Sequence, residues 1–317
     1  MAFEQGYRAQ VELLLRVLPL IAQEECFALK GGTAINLFIR DMPRLSIDID
    51  LAYLPNEPRD QSLPKCQEAL QRIREQVGLR LPGCQCTSRM ARPDDLKLVV
   101  QQGPVQIKVE VSPVLRGTVH PSKERTVSAQ VMEEFGFASI PVVSMPDLYG
   151  GKICAALDRQ HPRDMFDIKL LLENEGITRE LFETFLVYLI SHSRPLAELL
   201  APNWKPLEQT FRQELAGMIR DDVTHEELET VGPKLLQALA GHFTDDDVAF
   251  LISFKAGKPL WERFSVPAAK ELPAVSWKLH NIAQMKPEKH EEAQARLKAV
   301  LEGLTGRCCG VPSTTSW

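Results

Sequence analysis

Long apolar runs are missing from this 317-residue chain: no stretch approaches the roughly 18 residues of a membrane span, so no membrane partner is expected. Its first residues, MAFEQGYRAQVELLLRV, lack the basic region, apolar core and small-residue cleavage site of an export signal, and a cytoplasmic location is expected. C-x-x-C is absent as well. The seven cysteines are an odd number, and neither Cys84-x-Cys86 nor the adjacent Cys308-Cys309 has zinc-site spacing. Reduced thiols are expected. Positive net charge is lacking: at −5 the surface as a whole is not a nucleic-acid footprint. From Lys255 onward, however, ten Lys and Arg face six Glu and no Asp, a basic tail that hints at an anionic partner. Aromatic residues make up only 7%. Those in or beside the helical stretches (Phe182, Phe185, Trp204, Phe211, Phe250, Trp261, Phe264 and Trp277) are read as core. His120, His161 and His192 have no ligand spacing and are read as loop or surface residues.

What is present begins with pattern. At 44% hydrophobic and 25% charged, the chain can build an ordinary packed core. Residues 5–24 carry apolar side chains at helical spacing. CFAL reads as a short strand, broken by Gly31-Gly32, and Thr33 to Ile39 as a helix. RLSIDIDLAYL alternates: Leu45, Ile47, Ile49 and Leu51 face one way, Ser46, Asp48, Asp50 and Ala52 the other. A helix is expected from Pro64 to Leu79, then a hairpin of 96–102 and 105–112 around Gly103-Pro104. SIPVV is a further strand. Ser144 with Asp147 three residues on predicts a helix start, with Pro146 in the first turn. That helix runs to about Arg159, QHP interrupts it, and another follows to Gly176. After Thr178 every periodic segment is helical. The expected architecture is α+β: a mixed-sheet N-terminal domain over 1–178, then an α-helical C-terminal domain over 179–317 for an acceptor or partner.

The chemistry lies on the polar face of the 44–54 strand. Asp48 and Asp50 are i and i+2, about 7 Å apart on one side. Two carboxylates there repel unless a cation is shared, and Mg²⁺ (or Mn²⁺) takes one or two carboxylates completed by substrate phosphates. Glu110 holds a polar-face position on the later strand. If the strands are neighbours, three acids converge and can hold two ions about 4 Å apart, activating a hydroxyl and neutralising a leaving pyrophosphate. Gly31 and Gly32 permit close backbone approach to a ligand, and Thr33 opens a helix whose N-terminus favours phosphate. Arg44 is a candidate phosphate clamp. Ser46 either binds phosphate or receives a transferred group. Arg40 is expected to cap its helix end.

Gly31-Gly32-Thr33, Ser46-x-Asp48-x-Asp50 and a carboxylate on a later strand resemble the polymerase-beta-type nucleotidyltransferase superfamily. The fuller form, KGGTAINLF…RLSIDIDL followed by YGGKICAALDRQHPRDMFDIKLL, resembles the AbiEii/AbiGii toxin family, related to the MenT toxins. The motifs cover about residues 25 to 178. The resemblance implies an NTP substrate cradled by Gly31, Gly32, Thr33, Ser46 and Lys152, with Lys152 on the phosphates and Asp167 completing the active site. Asp167 would orient Lys152 or take a proton. The resemblance further implies a tRNA 3′ end as the RNA acceptor, a cognate antitoxin with a DNA-binding domain, and a part in abortive infection and phage defence. Many superfamily members carry Gly-Ser where this chain has Gly-Gly-Thr, and Asp where it has Glu110. Two rival readings stay open: a nucleotide-binding regulatory protein without catalysis, and a transferase acting on a protein or a small molecule.

Overall fold

The computed structural model describes residues 5–88 and 96–306. Cys308 and Cys309, noted above, lie outside them. Seven strands form one mixed sheet in the order β3-β4-β5-β2-β1-β7-β6. They are β1 (Phe27–Lys30), β2 (Asp48–Tyr53), β3 (Cys84–Ser88), β4 (Lys97–Gln102), β5 (Val105–Arg116), β6 (Lys123–Thr126) and β7 (Ser139–Val142). β2 runs parallel to β5 and antiparallel to β1, and β1 runs parallel to β7. The α+β expectation and its mixed sheet hold. Ile49, Leu51, Ile107 and Val109 are buried from one side of β2 and β5, which leaves Asp48, Asp50, Lys108 and Glu110 on the other.

The helices are α1 (Gln5–Ile21), α2 (Gly31–Ala34), α3 (Arg59–Arg80), α4 (Ala129–Phe135), α5 (Met145–Arg159), α6 (Pro162–Asn174), α7 (Arg179–Ser191), α8 (Leu196–Leu200), α9 (Glu208–Glu214), α10 (His225–Ala240), α11 (Asp245–Lys255), α12 (Pro273–Ala283) and α13 (Pro287–Thr305). Ser144 caps α5 by accepting from the Asp147 N–H, as the spacing predicts. Gln160 closes α5 in the left-handed region (φ 54°), and His161 with Pro162 starts α6, so QHP is a true break.

Several elements differ from the pattern reading. After α2 the chain winds one π-helical turn, residues 35–39, with the Arg40 N–H donating to the Ile35 carbonyl. β2 starts only at Asp48, because Arg44 and Leu45 bond outward to Ile219 and Met218. β3, β6 and α4 had no legible signal. β6, KERT, is exposed at every position, so it has no apolar face to alternate. α3 begins five residues before Pro64. The five described thiols are free, and burial pushes the Cys66 thiol up to about 12, where it is inert.

Beyond Thr178 the described chain forms no strand. The buried core continues across that point all the same: Phe182 and Phe185 of α7 join it beside Ile153 and Leu157 of α5. Arg179 adds an ion pair to buried Asp247 at the start of α11, at 2.8 Å. Among the described residues, no helix is long and apolar enough to cross a membrane. Phe185 is fully buried, so Phe185→Ala should lower unfolding free energy by about 3–5 kcal/mol. In urea titration this appears as a lower midpoint at unchanged slope. A change within a few tenths of a kcal/mol would show that α7 does not support the fold.

Candidate active site

β2 places Asp48 and Asp50 on one side, and register does the rest. Asp50 lies opposite Glu110 of β5 on one flank and opposite Lys30 of β1 on the other. The expected neighbourhood of Asp50 and Glu110 is therefore met. Burial raises the Asp50 carboxyl above its ordinary range; Lys30 and Lys152 oppose the rise, and the charges of Asp48 and Glu110 add to it. Glu110 is half-exposed and ion-paired to Lys97, its neighbour on β4.

Gly31 has φ +74°, and a Cβ there would stand 2.5 Å from Asp50 Oδ2. A Cβ on Gly32 would stand 2.6 Å from Arg44 Nη2. The glycine pair is thus needed for the protein's own side chains, Asp50 and Arg44, to lie against the backbone. The Thr33 hydroxyl bridges Ser46 Oγ (2.9 Å) and the Asp48 carbonyl, holding the start of β2.

Beneath this lies a buried ion cluster. Asp167 is fully buried and takes two guanidinium bonds from Arg44, Nε at 2.8 Å and Nη2 at 2.6 Å. Lys152 Nζ reaches Asp167 and Asp164, both at 2.9 Å. Arg159 also holds Asp164, at 2.8 Å. Asn36 Nδ2 donates to Asp167 (3.1 Å) and to the Gly32 carbonyl (2.9 Å). Burial alone would raise the Asp167 carboxyl; Arg44 and Lys152 outweigh it and hold the group well below the usual carboxylate range. Asp164 is held low in the same way, by Lys152 and then Arg159. Burial would lower the Lys152 ammonium, yet the two aspartates hold it above its ordinary value.

Above the cluster a cavity of about 320 Å³ opens between the glycine turn and α5. Lys30, Gly31, Gly32, Asp50, Lys152 and Arg159 contribute to its wall. Among the described residues the Lys30 side chain has no hydrogen-bond or ion-pair partner. Burial, and then the charge of Arg159, hold its ammonium below the ordinary value, against the pull of Asp50.

Of the predicted residues, Gly31, Gly32, Asp50 and Lys152 meet in this cavity, with Asp48 and Glu110 as strand neighbours of Asp50. Arg44 is not the expected phosphate clamp: its Nε, Nη1 and Nη2 are committed to Asp167 and the Leu45 carbonyl, and it is 2% exposed. Thr33 and Ser46 are buried against one another and do not line the cavity. Asp167 pairs with Lys152 and not with Arg163, four residues earlier on the same helix, which pairs with Glu214 instead. Arg40 closes the 35–39 turn through its backbone N–H, while its side chain binds Glu175 and the Tyr149 hydroxyl rather than the turn's carbonyls. His192, read as a surface loop residue, lines the cavity near Asp158 (3.6 Å). His120 bonds Thr184 at 3.0 Å, and His161 caps α6. Sequence reasoning missed Lys30, Asn36 and Arg159 as site residues; only Lys30 had a signal, as the residue that ends a strand before the glycine turn.

Asp50, with Asp48 and Glu110 as strand neighbours, shares a cavity beside the glycine turn with Lys30 and Lys152, an arrangement that suits a nucleotidyltransferase. A family model described as "Nucleotidyl transferase AbiEii toxin, Type IV TA system" matches residues 12–281. The chain belongs to this family of nucleotidyltransferase toxins, whose members act in type IV toxin–antitoxin systems. Its fold is similar to that of MenT4, a nucleotidyltransferase toxin from Mycobacterium tuberculosis H37Rv, with TM-score 0.59 and 16% identity over 93% of each chain. No curated protein matches the chain.

The ion cluster predicts an acid limb. Asp164 and Asp167 have folded pKa values below their unfolded ones, so their stabilisation is present above about pH 4 and is lost as pH falls through the lower folded values. Asp167→Asn should flatten that limb in denaturant titrations from pH 6 to pH 3. Arg44→Met, which leaves Asp167 short of its main partner, should cost about 3–5 kcal/mol at pH 7. An unchanged acid limb in Asp167→Asn would contradict the assignment.

Proposed function

We propose that the chain transfers the nucleoside monophosphate of an NTP to an acceptor hydroxyl, that of a tRNA 3′ end, as the toxin of a toxin–antitoxin pair. One observation carries the reading: Asp50 stands between Glu110 and Lys30 on adjacent strands, in the wall of a cavity that also holds Lys152.

The donor set is all oxygen, which suits a hard divalent cation. Among the described residues no three His, Cys, Asp or Glu side chains are gathered into a ready-made metal site. Glu110 is held by Lys97 instead, so it would join Asp48 and Asp50 only by leaving that partner. With this proviso the residues fit Mg²⁺: Asp48 and Asp50 would hold it, and Glu110 would complete the set. Bound there, the cation would offset carboxylate repulsion and neutralise charge on the phosphates and the leaving pyrophosphate.

The residues of the chain supply the rest. Lys30, Lys152 and Arg159 present three positive charges to a polyphosphate in the cavity. Lys152 is fixed by two carboxylates and cannot swing away, so its charge is in place before phosphoryl transfer begins.

Incubation of the protein with each labelled NTP, Mg²⁺ and total RNA should place label in the tRNA fraction. Asp48→Ala should lower incorporation by a factor of about 100 or more, as should EDTA. Label in protein or in small molecules would move the acceptor to those classes. No label above Asp48→Ala with any NTP would leave a nucleotide-binding protein without transfer.

A further inference from the structure

Register puts the charged residues of four strands into one line. Lys30 of β1 lies opposite Asp50 of β2, Asp50 opposite Glu110 of β5, and Glu110 opposite Lys97 of β4. Cross-strand partners share a face, so two acids stand side by side with one lysine at each end. Lys30, at one end, lines the cavity beside the glycine turn. Lys97, at the other end, does not line it and is ion-paired to Glu110. The acids are therefore approached from two sides, and a nucleotide in that cavity occupies only one of them.

Among the described residues, the side beyond Lys97 is an open sheet face. The next line across the strands runs Thr87, Val99, Lys108 and Asp48, and the one after it Gln85, Gln101 and Gln106. Cys84 and Cys86, which alternate with Gln85 and Thr87 on β3, pack against the core, so Gln85 and Thr87 point away from it. Gln85, Thr87, Gln101 and Lys108 are exposed. Lys108 has no hydrogen-bond or ion-pair partner among the described residues, although it lies opposite Asp48. From Gln101 to Lys97 the face is about 14 Å long, and its three strands make it about 10 Å wide, so a few units of an extended chain would cover it.

The chemistry of this face suits a phosphate backbone. β3 and β4 contribute no carboxylate and no aromatic ring. With β5 they present two ammonium groups, amides and a hydroxyl, the donors that proteins use on phosphate and sugar oxygens. Base stacking has no platform there: the exposed tryptophans Trp204 and Trp277, which the helical pattern assigned to the core, belong to the helical part of the chain (40% and 59% exposed). The 3′ end of a polynucleotide fits the junction with the acids. Its last group is a neutral hydroxyl, which can stand against Asp50 and Glu110 while the phosphates behind it lie on the lysines.

We propose that the face of β3, β4 and β5 binds the backbone of the acceptor RNA, with Lys97 and Lys108 on its phosphates and the 3′ hydroxyl led to the acids from the side opposite Lys30. The strand's role as acceptor rests on the transfer reading; its binding does not. A phosphate on Lys97 competes with Glu110, so the bound strand frees that carboxylate to join Asp48 and Asp50.

The test measures binding of a labelled single-stranded oligoribonucleotide with a free 3′ hydroxyl to the full chain by fluorescence anisotropy. It is run in EDTA, without NTP, over a series of salt concentrations. Two phosphate contacts predict a slope of about −1.4 in log affinity against log salt. Lys97→Gln and Lys108→Gln should each weaken binding about fivefold and flatten that slope by about 0.7, with thermal midpoints unchanged. Glu110→Gln should act in the opposite direction and tighten the strand, because it frees Lys97. Lys30→Gln should weaken NTP in a separate titration and leave the strand's affinity as it was. No RNA binding overturns the proposal, as does an affinity and slope indifferent to both Lys97→Gln and Lys108→Gln. Binding of polyglutamate in place of RNA would also overturn it and assign the face to an acidic protein. Strand binding that follows the two lysines, in a preparation that incorporates no label, would sink the transfer reading and leave this surface standing. Label incorporation with an unchanged KM for RNA in both lysine variants would do the reverse.

Discussion

Asp167 is ionised in a position with no access to water, and four parts of the chain meet because of it. Arg44 comes from the segment before β2, Asn36 from the turn after α2, Lys152 from α5, and the carboxylate itself from α6. A buried charge is tolerated only with partners in good geometry, so none of these segments can move far without stranding the others. The cavity beside the glycine turn inherits this rigidity. Lys152 forms part of its wall, and Asn36 holds the Gly32 carbonyl of the turn opposite.

On that base the sheet sets up an electrostatic contrast. Parallel pairing of β2 with β5 sets Glu110 beside Asp50, and antiparallel pairing with β1 sets Lys30 on the other flank. The acids suit a divalent cation and the amines suit phosphate, and the two groups face each other across Asp50. The glycines at 31 and 32 serve this arrangement by making room. Any side chain at those positions would collide with Asp50 or Arg44 before it met a ligand.

The helical part of the chain also contributes to the site. Tyr188 of α7 donates to Asp147 at 3.1 Å, and Asp147 also accepts from the backbone N–H groups of Val119 and His120. Tyr188 and His192 line the cavity beside the glycine turn alongside residues of α5. The wall of this cavity is therefore built from both sides of residue 178. A second cavity, walled by β5 and α12, has the same composite origin.

The alternation of DIDL and of VQIKVEVS by itself determined which side chains face away from the core, because a strand has a period of two. It therefore put Asp48 with Asp50, and Glu110 on a like face. Ser144-x-x-Asp147 and QHP determined where α5 starts and stops, since caps and proline act within a few residues. Partners distant in sequence carry no such local mark. Only the tertiary structure decided that Arg44 faces Asp167 rather than a phosphate, 123 positions away, and that Lys30 flanks Asp50. It alone decided that Trp277 stands in a cavity wall instead of the core. A helical period predicts which residues share a face, and only the packing of neighbouring elements settles whether anything covers it.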